Sequence, residues 1–360
     1  MDAPPASGRR RPRRWVVSLT AFLISLLLLE GLVRVRQWMK YGTMEASFYS
    51  RFEDPSSGLT IPEPGNTIGP ITIDSRGFRS PELEHPKPKG RIRIGFLGGS
   101  TSFCAEASAQ ENIWPYLLVE KLRERDPEAD LDFVNGASAG YSTVESLTNL
   151  EKRVAPQEPD VLLIYHGTND LTHDTRVLAT AEGLFNPEAK ETDTLGKYWL
   201  SWYLLKKNLL FRARQEGAQD QQRLQYDPET ASRYFQERLK RLIREAKRVA
   251  PVVVLITFSQ RLRAEQSPEV QRESCSSSLY YMPYLDVDGV LAGFEEYNRV
   301  MREVARDTGV ILVEGENDIP GDSVHFNDSV HFTDEGLALQ AQRVFAVLAE
   351  APAYRALLSR

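Results

Sequence analysis

Five short apolar runs recur along the chain, at 92–97, 131–134, 161–165, 252–258 and 310–313. Segments with helical spacing separate or follow them, at 112–125, 142–154, 230–250, 294–308 and 334–350. In 230–250, for example, Phe235, Leu239, Leu242, Ile243 and Ala246 recur at three- and four-residue intervals. The apolar runs are rich in Val, Ile and Leu, as strands buried on both faces are. Such strands alternating with helices build a parallel sheet with a helical layer on each side. The expected fold is therefore α/β: a three-layer α/β/α sandwich with a central parallel five-stranded sheet. Sites in such sheets gather at the carboxyl ends of the strands.

The first 90 residues follow a different logic. Residues 1–14 carry five arginines, at 9, 10, 11, 13 and 14, and form a basic tail. Residues 15–33 are apolar apart from a few small polar residues and Glu30, which sits close to the far end. At about 1.5 Å per residue this run nearly spans a bilayer core. A single transmembrane helix is expected there, so the membrane is an expected partner. The denser basic flank lies before the run, which puts the amino terminus in the cytoplasm and the rest outside, in the periplasm if two membranes enclose the cell. A cleaved signal peptide would need a small-residue site after the run, and the stretch from Glu30 to Arg36 offers none that is obvious. Residues 34–90 are rich in Pro and Gly and read as a tether able to lie across the domain surface, with a short strand at 71–73. The catalytic domain is expected over 91–350. Within it, 172–226 is an insertion containing Trp199, Trp202, Tyr203, Lys206 and Lys207. It reads either as a lid or membrane-surface helix, or as a helix packed on the domain.

Lys and Arg number 44 against 50 Asp and Glu, giving a net charge of −6. That balance speaks against a general nucleic-acid binder. Two cysteines, Cys104 and Cys275, exclude a disulfide-rich scaffold and a four-cysteine zinc site. Outside the cytoplasm they either pair or remain two buried thiols. No Gly-x-Ser-x-Gly elbow, phosphate-binding lysine loop or Gly-x-Gly-x-x-Gly is present, and no cofactor is expected.

The chemistry-bearing residues follow the strand ends. Gly98-Gly99-Ser100 follows the first run, and a glycine turn there would present a hydroxyl for attack. Asn135-Gly-Ala-Ser-Ala-Gly140 follows the second run and Gly167-Thr-Asn-Asp170 the third. Asp328-Ser-Val-His331 precedes the last helix. With these four blocks in this order, 91–350 resembles the SGNH hydrolases, also called GDSL-like esterases and lipases. Gly99 stands where that family often has Asp. The resemblance implies an SGNH/flavodoxin-like fold and four roles. Ser100 is the nucleophile, His331 its base and Asp328 the group that orients the imidazole. The N–H groups of Ser100 and Gly140 and the side-chain amide of Asn169 donate to a developing oxyanion.

Asp-Ser-Val-His-Phe occurs twice, at 322–326 and 328–332. The second copy leads directly into the last helix and is the expected catalytic one. Asp322 and His325 are expected to line the site or to lie in solvent. One loop rarely supplies every ligand of a metal, so no metal site is expected. The expected function is a membrane-anchored serine esterase that hydrolyses an O-acyl ester, in particular an O-acetyl ester, of a small molecule or polysaccharide. An O-acetyltransferase of envelope polysaccharide would use the same residues. A non-catalytic binding module would have no need of all four blocks.

Overall fold

A computed structural model describes residues 14–41, 44, 51–186, 195, 198–217 and 223–359. Apart from Arg14, the basic tail lies outside the described residues, as do parts of the insertion. Helix α1 (Arg14–Tyr41) comes first. Two antiparallel hairpins follow, β1 (Arg51–Asp54) with β2 (Leu59–Pro62) and β3 (Thr67–Ile68) with β4 (Ile71–Thr72). The main domain runs β5 (Ile92–Gly98), α2 (Ser100–Phe103), α3 (Trp114–Arg125), β6 (Leu131–Asn135), α4 (Thr143–Asn149), β7 (Val161–Tyr165) and α5 (Thr168–Ala181). It continues with α6 (Leu200–Gly217), α7 (Pro228–Val249), β8 (Val252–Ile256), α8 (Pro268–Ser274), α9 (Ser276–Tyr281), α10 (Val287–Thr308), β9 (Ile311–Val313), α11 (Asp334–Leu348) and α12 (Pro352–Leu358).

The five expected strands form one all-parallel sheet in the order β6-β5-β7-β8-β9. Every residue of β5, β7 and β8 is buried, including Arg93 of β5, whose charge is paired with Asp132 at 2.8 Å. Helices α3 and α11 pack together in one layer, and α4, α5 and α10 gather around α7 in the other. Helix α7 turns Phe235, Leu239, Leu242, Ile243 and Ala246 into the core, capped by Asp227 before Pro228. The expected helix 142–154 is α-helical only over α4. A π turn at Leu150–Val154 and a 3₁₀ turn at Ala155–Gln157 complete it.

The tether is more structured than its composition suggests. Leu59 and Ile61 pack on Tyr141, and Ile71 and Ile73 pack on Phe103 and Ala137. Both hairpins thus lean on loops that leave the carboxyl ends of the central strands. Among the described residues, one helix is long and apolar enough to cross a membrane, α1, over Trp15–Met39.

Candidate active site

Ser100 opens α2 directly after β5. The turn before it needs glycine for closeness rather than for unusual backbone angles. A Cβ on Gly98 would fall 2.9 Å from the Tyr165 carbonyl oxygen and closer still to the Ser102 side chain. A Cβ on Gly99 would fall 2.6 Å from Asn169 Nδ2. The family's frequent Asp at this position has no room here unless Asn169 moves.

Each backbone carbonyl of this short helix has a partner. Cys104 N–H donates to Ser100 O at 2.7 Å, Trp114 Nε1 to Thr101 O at 3.2 Å and Asn135 Nδ2 to Ser102 O at 2.9 Å. Arg79, wholly buried, reaches in from the tether and donates Nη1 to Phe103 O at 2.8 Å and to Cys104 O at 2.6 Å. A four-residue helix has little stability of its own, and its terminal carbonyls need partners from outside. The strand end, α3 and the tether supply them, so the Ser100 hydroxyl is held from three directions.

His331 Nε2 lies 2.8 Å from Ser100 Oγ, and His331 Nδ1 lies 2.8 Å from Asp328 Oδ2. An ionised carboxylate only accepts, so Nδ1 carries the proton toward Asp328. In the neutral ring this leaves Nε2 to accept from the serine hydroxyl. Asp328 also accepts the backbone N–H groups of Val330 and His331, both at 2.9 Å. Burial pushes the Asp328 carboxyl up, but the His331 charge and these bonds outweigh it and hold the pKa at about 2. Burial likewise pushes the His331 imidazole down. The carboxylates of Glu106 and Asp328 overcome that effect and raise its pKa to about 9.

Gly140 lies at the exposed end of the loop after β6, with φ +86°. A Cβ there would meet nothing within 4 Å, so the glycine answers to its left-handed backbone. Asn169, at the start of α5, donates Nδ2 to Tyr141 O at 2.8 Å. One amide proton is used in this way, and the second is left to point elsewhere. Asp170, beside it, accepts the backbone N–H of Thr143 at 3.1 Å and the Thr143 hydroxyl at 2.5 Å. The loop bearing Gly140 and the helix bearing Asn169 are therefore tied together at two successive residues. Burial raises the Asp170 pKa to about 6 against the Thr143 bonds and the Arg238 charge. Nearby, His166 is fully enclosed, bonds Ser146 Oγ at 2.8 Å, and is pushed by burial down to about 4, which makes it a neutral structural residue.

The first copy of the repeated pentapeptide goes elsewhere. His325 Nδ1 lies 2.8 Å from Oδ1 of the exposed Asp322, and that imidazole makes no bond to Ser100. The two thiols, Cys104 and Cys275, are free and buried rather than paired. Among the described residues no group of His, Cys, Asp and Glu could hold a metal ion.

Three contributors escaped the sequence reading. Arg79 lies in a segment read as tether, Asp170 reads as an ordinary turn residue, and Glu106 stands alone. None carries a periodic signal. For Asp170, adjacency to Asn169 was the available hint.

A family model for GDSL-like lipases and acylhydrolases matches residues 96–339, more than half of the chain. The chain belongs to the GDSL-like lipase/acylhydrolase family. Membership in that family makes it a serine ester hydrolase. Among solved structures it is similar to an acetyl xylan esterase from Geobacillus stearothermophilus, with 17% identity, 71% of this chain and 93% of that chain covered, and a TM-score of 0.44. It is also similar to an α/β hydrolase enzyme from the metagenome of Lake Arreo, Spain, with 16% identity, coverage of 71% and 94%, and a TM-score of 0.43. No curated protein matches it.

Proposed function

We propose that this GDSL-family hydrolase is a membrane-anchored esterase that removes an O-acyl group, in the first instance acetyl, through Ser100, His331 and Asp328. The observation that carries the reading is the unbroken line Ser100 Oγ, His331, Asp328, with 2.8 Å at each junction. In the reaction the hydroxyl oxygen attacks the ester carbonyl carbon while its proton passes to His331 Nε2. Asp328 stabilises the imidazolium that forms. The carbonyl oxygen becomes an oxyanion and meets the N–H of Ser100, the N–H of Gly140 and the free proton of the Asn169 amide. Each such donor supplies roughly 3 kcal/mol to the transition state. His331 then protonates the departing alkoxide, and an acyl ester remains on Ser100. Water, deprotonated by the same imidazole, attacks that ester and releases the acid.

In this reading α1 is the anchor, and the arginines before it keep the amino terminus in the cytoplasm, so the hydrolase domain works on the other side. The test is chemical. The purified full chain should be labelled by a fluorophosphonate and should hydrolyse p-nitrophenyl acetate, with acyl chains of increasing length ranking the preference. Ser100→Ala should abolish both reactions. Labelling or turnover that survives Ser100→Ala would overturn the assignment.

A further inference from the structure

The insertion helix α6 is apolar on more than the side it packs with, and one apolar stripe is turned outward. Leu200 is buried, and Tyr203 and Leu204 are half-buried against the protein. On the opposite side of the helix Trp202, Leu205 and Leu209 are exposed by 42, 51 and 57%. Their spacing of three and four residues places them on one stripe. A soluble domain gains nothing by holding such a stripe in water, and continuity with the anchor says what covers it.

Helix α1 is exposed on every side over its first turns. From Leu26 onward one stripe, Leu26, Glu30, Val33, Arg34 and Gln37, turns toward the domain, and α1 packs against α6. The two helices are joined by a specific clamp. Glu30 accepts the backbone N–H groups of Leu200 and Ser201, both at 2.9 Å, and pairs with Arg34 at 2.7 Å. Arg34 in turn donates to Tyr198 O at 2.9 Å. If the hydrocarbon core begins at Trp15, about 20 residues cross it and the crossing ends near Arg34. Glu30 then lies roughly 6 Å inside that limit. A bare carboxylate at this depth is expensive, and so are the unpaired N–H groups of a helix start. The clamp satisfies each with the other, so the amino-terminal end of α6 belongs at the membrane surface.

From α6 the contacts lead to the site. Helix α6 packs against α9, and Ser329 Oγ accepts the N–H groups of Ser277 and Ser278 in α9 at 3.1 and 3.2 Å. Ser329 is the residue after Asp328. We infer that α6 lies in the plane of the bilayer surface, with Trp202, Leu205 and Leu209 among the lipids, and presents the Ser100 site to an ester held at that surface. This rests on α1 being the anchor and on Ser100 being the nucleophile.

The test uses the full chain in nanodiscs of phosphatidylethanolamine and phosphatidylglycerol. A fluorophore on Leu209→Cys reports depth. Burial raises both native thiols to about 12, so the introduced cysteine alone should react. The label should emit as in an apolar medium and be quenched by lipids carrying a nitroxide near the headgroup. Emission as in water would overturn the inference. In a second arm, Trp202→Ser, Leu205→Ser and Leu209→Ser are combined. Hydrolysis of a long-chain p-nitrophenyl ester dissolved in the bilayer should fall about tenfold, while hydrolysis of water-soluble p-nitrophenyl acetate stays within twofold, as expected when only interfacial attachment is lost. Equal rates of parent and variant on the bilayer ester would also overturn it, as would a parallel fall on both esters. If the parent chain fails on the soluble acetate, the esterase reading falls, while the fluorescence still decides where α6 lies.

Discussion

The same five residues, Asp-Ser-Val-His-Phe, occur twice within eleven positions, and the fold uses them differently. Both copies make the same local object. An aspartate meets the imidazole three residues on, with the ring nitrogen 2.8 Å from the carboxylate in each case, and the aspartate accepts backbone N–H groups from the same turn. Both phenylalanines are buried, and their rings lie 5.0 Å apart. Elsewhere the copies part. Val324 is 57% exposed and Val330 6%. Ser323 is exposed, whereas Ser329 is buried beneath α9. One imidazole reaches Ser100 and the other does not, although the two side chains are equally enclosed, 19% exposed in each case. The local sequence makes an Asp–His pair; contact with α9 and the position just before α11 aim it.

Mirrored substitutions test this contrast. The largest difference should come from the imidazoles. His331→Ala should lower kcat by at least about 1,000-fold, as losing a triad base does. His325→Ala should stay within about threefold, because surface substitutions away from the chemistry are usually near neutral. Steady-state kinetics of both variants on one ester would decide. If His325→Ala is the inactive variant, the roles are exchanged and Asp322 becomes the orienting group.

The pH profile sharpens the same point. His331 must be neutral to accept the serine proton, and its pKa is raised to about 9. kcat/KM should therefore climb with pH and level off near 9. At pH 7 it should lie about 100-fold below the plateau, since a single essential base gives a tenfold change per unit. A profile already flat at pH 7 would refute the raised value. Glu106 is the larger of the two carboxylate influences on that imidazole, so Glu106→Gln should move the rising limb to lower pH and increase activity at neutrality. The corresponding limb should not respond to Asp322→Asn, whose partner is the imidazole that makes no bond to Ser100.

The smallest effects concern stability. Ser329→Ala leaves the N–H groups of Ser277 and Ser278 without their acceptor and should destabilise the fold by about 1–3 kcal/mol. Ser323→Ala should remain within about 0.5 kcal/mol. Thermal unfolding of the two variants side by side would measure the difference, and equal midpoints would erase the structural distinction between the copies.

The sequence made the sheet legible because its strands are buried on both faces and therefore appear as apolar runs, with Arg93 in β5 and Asp132 in β6 as the charged interruptions. Strand ends were blurred where the apolar run continues past the ladder, as at Phe258 beyond β8, and where the ladder continues past the apolar run, as at Gly98 and Asn135. The four blocks were legible as types of residue at strand ends, and the structure brings Ser100, His331 and Asp328 within hydrogen-bond reach. The supports were not legible. Arg79 acts across twenty-four residues on a carbonyl, and no pattern of side chains announces a carbonyl that needs a donor. The packing of the tether was not legible for a related reason. Its apolar residues, Leu59, Ile61, Ile71 and Ile73, come in pairs too short to register as a period, yet each pair finds a partner on a loop of the site. The glycines before Ser100 were read as serving a tight turn, whereas what they permit is the approach of Asn169 and Tyr165.

On the proposal that α1 is a membrane anchor, the grip of Arg79 on α2 has a bearing on how the domain would be shed. A protease cutting upstream of Arg51 would set free a body that still contains both hairpins and the arginine that steadies the nucleophile. A cut between Arg79 and Arg91 would release nearly the same mass of protein, with the carbonyls of Phe103 and Cys104 stripped of their donor. Between those two cleavage points lie only a few dozen residues, and only the second cut separates the short helix that bears Ser100 from the arginine bonded to it.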